Sequence, residues 1–308
     1  MYTNLYKALG VLFNRTKFEH QEDLELMVQL LKDYALLQED HEKHPYSLVT
    51  KSTAVEKTLD DFIQGHVDIT AFDNIIVFGS AADGTFIPSW SDYDILTILK
   101  EDDLSKQHEE IKKINNWLKK YNHHGVSVVF KEMMTRWCQN WMPVHILSEG
   151  YGYTGKSYDC LYYNDTSAYT DLLNYWCGYF KNAEETGAFQ HHIRDGKYLT
   201  NIPSELLSRL YQFKYFLGVI FLLPCFLYNS QGKFWNKGIC IAQIHDELHL
   251  SKQSLWFLDQ CCTIRETWGS IDRVLGKDDS SDFAQNMFHY AHRLCTEISQ
   301  IANIAPAS

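Results

Sequence analysis

Asp92 and Asp94 stand one residue apart at the mouth of a hydrophobic run, within IIVFGSAADGTFIPSWSDYDILTILK (residues 75–100). Acidic residues are poor strand formers, and like charges on one strand face repel, so a cation is expected between them. Side chains alternate across a strand, which sends both carboxylates to the same face. Such a pair suits a hard cation such as Mg2+, which takes one or two protein carboxylates and leaves its other positions to water and substrate phosphates. Upstream, the apolar run 75–78 ends in Gly79-Ser80. Glycine lets a backbone approach a phosphate closely, and a serine hydroxyl with the amides of a following helical turn can hold phosphate oxygens. A loop for a triphosphate and a carboxylate pair for its metal would together serve phosphoryl or nucleotidyl transfer, where catalysis is mostly positioning and charge stabilisation.

Gly79-Ser80, a spacer and Ser91-Asp92-Tyr93-Asp94 resemble the signature of the DNA polymerase β-like nucleotidyltransferase superfamily. The fuller phrase GSAADGTFIPSWSDYDIL is close to the form carried by many small bacterial and archaeal members. The resemblance implies that Gly79, Ser80 and Ser91 bind the nucleotide, while Asp92 and Asp94 are catalytic through Mg2+, with Mn2+ as the alternative. It implies a nucleoside triphosphate, ATP first, as donor of a nucleoside monophosphate. The acceptor would be a hydroxyl on a small molecule, a protein or an RNA end, and pyrophosphate would leave. The antibiotic and minimal nucleotidyltransferases share a two-part plan, strands first and a helical bundle second, with the acceptor in the cleft between the parts. In related antibiotic-modifying enzymes a lysine of the helical part reaches a phosphate. Lys214, in LYQFKYFLGVIFLLP, could reach a phosphate in the same way; it could equally send its head to the surface with its stem packed on aromatic rings.

One element of the superfamily is missing. A later strand usually supplies a third acid, yet the matching stretch HGVSVVF (124–130) has no Asp or Glu, and Ser127 or Val128 stands where the acid is expected. Glu132 lies just beyond and could bend back. His123-His124 precedes the strand and resembles a His-His-Gly element of one branch of the superfamily. An imidazole can act as a base near neutral pH and ligates Mn2+ or Zn2+ better than Mg2+; the plainer role is a helix end whose histidines face the last carbonyls. The catalytic candidates are therefore Asp92, Asp94, His124 and Glu132. The alternative function is a catalytically degenerate, nucleotide-binding regulatory protein of the same fold.

The elements that must position these residues read as α+β: a nucleotidyltransferase-type mixed β-sheet with helices, then an all-helical bundle. Leu24, Leu26, Met27, Leu30 and Leu31 recur at helical spacing, and a second amphipathic segment runs over 52–64. Strand-type runs follow at 75–78, 93–99 and 126–130, with a charged helix over about 104–121 and a further strand candidate at 144–147. Helical patterns occupy 166–185, 204–228, 236–249, 253–275 and 282–303. The expected domains are 1–155 and 156–308.

Composition narrows the setting. A chain of 308 residues, 45% hydrophobic and 22% charged, can bury a sizeable core. A formal charge of −11 disfavours extended nucleic-acid binding and mildly favours a small, cationic acceptor. Eight cysteines at irregular positions form no CxxC pair. The start, MYTNLYKALG, lacks the basic-then-apolar layout of a secretory leader, so a cytoplasmic location is expected. The apolar run 215–228 falls short of the roughly 20 residues of a membrane span and contains Pro224, so no membrane association is expected and a buried helix is. A homo-oligomer is compatible with all of this.

Overall fold

The computed structural model describes residues 18–36, 43–100, 103–121, 125–138, 143–164, 166–190, 198–199, 210–247, 250–270 and 280–304. The chain divides into two compact units, Met1–Asn164 and Asp165–Ser308.

The first unit is α+β. Its main sheet has four strands in the order β4-β3-β2-β6, formed by Ser127–Phe130, Asp94–Leu99, Asn74–Phe78 and Tyr151–Gly152. β2 and β3 are antiparallel, with Phe78 opposite Asp94 and Val77 opposite Ile95. β3 and β4 are parallel, with Leu96 opposite Ser127 and Leu99 opposite Phe130. A second sheet, in the order β1-β7-β5, joins His44–Leu48, Tyr158–Tyr163 and Trp137–Cys138. β1 contains Pro45, which cannot donate to a ladder, and it lies at the sheet edge, where proline is tolerated.

Helices cover the main sheet. α1 (Gln21–Leu36), α2 (Lys57–His66) and α4 (Leu104–Leu118) are amphipathic and send Leu24, Met27, Leu59, Ile63, Ile111 and Ile114 into one core with Ile75, Ile76, Leu96 and Val129. α2 and α4 meet through Phe62 stacked on Trp117, centroids 4.6 Å apart. Two buried amides of α4 then fix the strands around it. Gln107 accepts from the Lys100 amide at 2.8 Å and donates to the Lys100 carbonyl at 3.0 Å, holding the exit of β3. Asn115 accepts from the Val126 amide at 3.0 Å, holding the entry of β4.

The 144–147 run is not a strand. Val144–Ser148 forms the short helix α5, with Pro143 at its N-cap and Val144 and Leu147 buried on one face. Proline at a helix start loses no intrahelical bond, and the i, i+3 apolar pair suits a helical face better than alternation suits a strand. β1 and β7, which pair across more than a hundred residues of chain, lay outside the sequence-based expectations.

The second unit is mostly helical, with α6 (Thr166–Thr186), α7 (Leu210–Ser230), α8 (Lys237–Glu247), α9 (Lys252–Glu266) and α10 (Ser280–Ile304), and it also holds a small hairpin, β8 (Phe189–Gln190) with β9 (Tyr198–Leu199). α7 is longer than the apolar run that announced it and carries Pro224 inside. By length and composition its stretch Gln212–Ser230 could cross a bilayer, but 67% of that stretch is buried inside the protein, as in the core helix of a bundle.

The most polar point of the first unit's core is Asp73, just before β2. Its carboxylate accepts from Lys156 at 2.6 Å and from the Tyr158 hydroxyl at 2.7 Å. Burial pushes the Asp73 carboxyl up, but these two hydrogen bonds outweigh it and hold it below the usual carboxylate range. The contact ties the second sheet to the start of β2. Tyr158→Phe, which strips a donor from a buried carboxylate, should cost about 1.5–3 kcal/mol in urea unfolding. Because the folded-state pKa of Asp73 is depressed, its contribution is present above the unfolded carboxylate value of about 3.9 and is lost as pH falls through the folded value. The stability gap between the parent protein and Asp73→Asn should therefore be constant near neutrality and close only in acid.

Candidate active site

β2 is buried on both faces up to Val77, and the chain then turns at Gly79 into a single helical turn, α3 (Ser80–Asp83). Gly79 has φ 65° and ψ −153°, a backbone region that is essentially glycine-only. A Cβ there would lie 2.6 Å from Asp94 Oδ2. The glycine thus has two reasons to be a glycine: its backbone, and the carboxylate that lies against it.

The amides that open α3 belong to Ser80 and Ala81, and a helical turn leaves its first amides without intrahelical acceptors. The far end of the turn is held from behind. The Glu56 amide donates to the Ala81 carbonyl at 2.7 Å, and the Ser52 hydroxyl donates to the Ala82 carbonyl at 2.7 Å. Downstream, Asp83 accepts from both the Thr85 amide (2.9 Å) and the Thr85 hydroxyl (2.6 Å). Ser91 closes the spacer loop: its hydroxyl accepts from the Ile87 amide, and its own amide donates to the Ile87 carbonyl, both at 2.8 Å.

Asp92 and Asp94 are exposed, whereas Tyr93 between them is 5% exposed. From Ile95 to Leu99 every residue of β3 is buried, so the carboxylates stand where the cover on the sheet ends. Tyr93 stacks on Phe86 at 4.9 Å and packs on Trp117 and Tyr121. Its hydroxyl donates to Glu56 Oε2 at 3.1 Å, and the same oxygen accepts from the Leu59 amide as the N-cap of α2. Burial, reinforced by the Glu56 charge, pushes the Tyr93 phenol well above its ordinary value, so it stays a donor. Glu56 therefore links the phosphate-type turn, through its amide, to the aspartate strand, through its carboxylate. Sequence reading passed over Glu56. The only signal for it was indirect: a tyrosine flanked by outward aspartates points inward, and a buried tyrosine hydroxyl needs a partner.

The remaining candidates are placed as follows. Paired residues on parallel strands share a face, so Ser127, opposite Leu96, lies on the face of Asp94, while Val128 is buried on the other. One step nearer, Gly125 has φ 114°, and a Cβ on it would lie 2.9 Å from Asn115 Oδ1. Glu132 is not brought to the aspartates. It follows the C-terminal end of β4 in the turn Lys131–Arg136, whereas Asp94 opens β3, and the strands run parallel. Six residues of strand rise, roughly 20 Å, separate the two levels. His123 and His124 lie outside the described residues. Lys214 is half-buried on α7 in the second unit.

The fit to a divalent cation can be judged from the donors. The face offers two exposed carboxylates, oxygen-only and anionic, beside a backbone turn that a single Cβ would obstruct; this suits a hard ion accompanied by phosphate oxygens. Among the described residues no group of three or more His, Cys, Asp or Glu side chains is arranged to hold a metal by itself. A cation here would need oxygens from a substrate.

The segment bearing this geometry, residues 63–148, matches the family model of the nucleotidyltransferase domain. Over that segment the chain is similar to nucleotidyltransferase domains, in line with the resemblance to the polymerase β-like superfamily. The match begins inside α2 and ends with α5, so it encloses β2, α3, β3, α4 and β4, and with them the Gly79-Ser80 turn and the Asp92–Asp94 strand. No curated protein matches the chain. The nucleotidyltransferase domain supports a general role in transfer from nucleoside triphosphates.

Two substitutions test the central contact of this domain. Gly79→Ala should cost about 1–3 kcal/mol from backbone strain alone, with the Asp94 contact added to it. Asp94→Ala introduced into Gly79→Ala should return the contact part and leave the strain part, as read from a double-mutant cycle of urea midpoints. A Gly79→Ala cost that is indifferent to residue 94 would remove the contact from the account.

Proposed function

We propose that the protein moves a nucleoside monophosphate from a nucleoside triphosphate to a hydroxyl acceptor and releases pyrophosphate. The observation that carries this reading is the 2.6 Å approach between the Cβ position of Gly79 and Asp94 Oδ2, which sets the phosphate-type turn directly beside the carboxylate face. Asp92 and Asp94 would hold a divalent cation, Mg2+ or Mn2+, and ATP is the first donor to try. When bound, such a cation neutralises charge on the transferring phosphoryl group.

The chain's own groups do the rest. The Ser80 hydroxyl and the opening amides of α3 orient phosphate oxygens, with the turn fixed from behind by Ser52 and Glu56. Ser91 keeps the spacer loop closed, so that Asp92 enters the strand at a set height. With Glu132 at the other end of the sheet, we assign the general base to His124, the residue before Gly125. It takes the proton of the attacking hydroxyl. The net charge of −11 favours a small, cationic hydroxyl compound as acceptor.

A second reading has its own observation. The face of β4 beside Asp94 presents Gly125 and Ser127 and no acid, which suits a protein that binds nucleotide and does not turn it over.

Incubating the protein with each labelled triphosphate and Mg2+ or Mn2+, while following pyrophosphate and label transfer, separates the two. The transfer reading expects pyrophosphate release that falls about a hundredfold or more in Asp92→Asn or Asp94→Asn, the scale of removing one charge-stabilising group. Nucleotide binding with no turnover under any metal supports the second reading. With His124 as base, the neutral imidazole is the active form. The rate should then rise with pH through about 6.5, and His124→Ala should lower the rate while leaving nucleotide affinity unchanged.

A further inference from the structure

The helical unit contains two thiols in contact. Cys177 on α6 and Cys295 on α10 have their sulfur atoms 2.9 Å apart, and both are free cysteines. A disulfide bond is about 2.05 Å long, so less than an ångström of approach separates contact from bond.

The pair is held in register from both sides. One turn toward the start of α6, the Ser299 hydroxyl of α10 donates to Asn174 Oδ1 at 2.8 Å. Two turns the other way, Glu184 of α6 accepts from His289 Nδ1 at 2.7 Å and from His292 Nδ1 at 2.6 Å. Those hydrogen bonds hold the Glu184 carboxyl below its ordinary range. Positions rising along α6 meet positions falling along α10, so the helices are antiparallel, and their contact is the most extensive between any two elements among the described residues. Between these clamps, Cys295 sits over one turn of α6, its thiol also reaching the Leu173 carbonyl at 3.6 Å. The sulfurs meet because the helices are locked there, not by chance rotation of an exposed side chain.

We propose that Cys177 and Cys295 are a redox modification site, which a low-molecular-weight disulfide such as oxidised glutathione converts to an intramolecular disulfide joining α6 to α10. The two thiols are unequal, which sets the order of events. Cys177 is half-buried, the more exposed of the two, and the Cys295 thiol beside it favours its thiolate, lowering its pKa. Cys295 is fully buried, and burial pushes its thiol up. The Cys177 thiolate attacks one sulfur of the glutathione disulfide; that S–S bond breaks, a mixed disulfide forms and one glutathione leaves as its thiol. Cys295 then gives up its proton and attacks the Cys177 sulfur, forming the Cys177–Cys295 bond and expelling the second glutathione. Two protein thiols lose two electrons and two protons, and two glutathione thiols gain them.

The test uses the full chain equilibrated in a series of glutathione redox buffers, alkylated, and digested without reductant for mass spectrometry. The expected result is one linked peptide pair containing Cys177 and Cys295, two hydrogen masses lighter than its parts and abolished by dithiothreitol. In Cys295→Ser the reaction should stop at glutathione on Cys177. In Cys177→Ser, Cys295 should stay unmodified as long as the protein remains folded by circular dichroism. Alkylation of both cysteines across the whole buffer series, or accumulation of a Cys177 mixed disulfide in the parent protein, overturns the proposal. Glutathione on Cys295 in folded Cys177→Ser overturns the order of attack.

Discussion

The register between β2 and β3 is the constraint on which the first unit depends. Because Phe78 pairs with Asp94, the residue that follows β2, Gly79, turns away directly beside the aspartate carboxylate. A slip of one residue would exchange the faces of every side chain on one strand. It would bury Asp94 and expose Ile95. Neither is tolerable: an unpaired buried carboxylate is far costlier than a misplaced apolar chain, so the register is specified by charge as well as by apolar packing. Gln107 at the exit of β3 and Asn115 at the entry of β4 fix the neighbouring ends.

Around this ladder, satisfied polar contacts are spent on position. Ser52, Glu56, Ser91 and Tyr93 each bond to backbone or to one another, and they hold the turn and the strand. The face itself carries the two exposed aspartates. A loop secured this thoroughly from behind, with anions in front, is the arrangement that the proposed ligand, one of complementary charge, would require. A cation shared with phosphate oxygens fits that description better than a protein-only cation site, since the described residues provide no third acid there.

Much of this was legible in the sequence, for physical reasons that also mark its limits. The β2, β3 and β4 runs are continuous apolar stretches bounded by turn residues, the pattern of strands covered on both faces. The glycine-serine turn and the alternating aspartates carry their chemistry in their residue types. β1 and β7 did not stand out, because HPYSL and YDCLYY mix polar and aromatic residues and owe their pairing to partners far along the chain. VHIL reads equally as a short strand or a helical turn, and Pro143 decides for the helix. Glu132 looked near because it follows the right strand; only the parallel pairing of β3 with β4 shows that it leaves at the wrong end. The contact of Cys177 with Cys295 could not be read locally either, since 118 residues of chain separate them.

The most direct measurement is calorimetric titration of a non-hydrolysable ATP analogue into the intact protein, with Mg2+ and again with a chelator. If Asp92 and Asp94 face the triphosphate across a shared cation, binding should be strong with Mg2+ and should weaken by at least about tenfold, roughly 1.4 kcal/mol, without it. Equal affinity in the two titrations would contradict the account, because a triphosphate beside two carboxylates with no cation between them should be repelled.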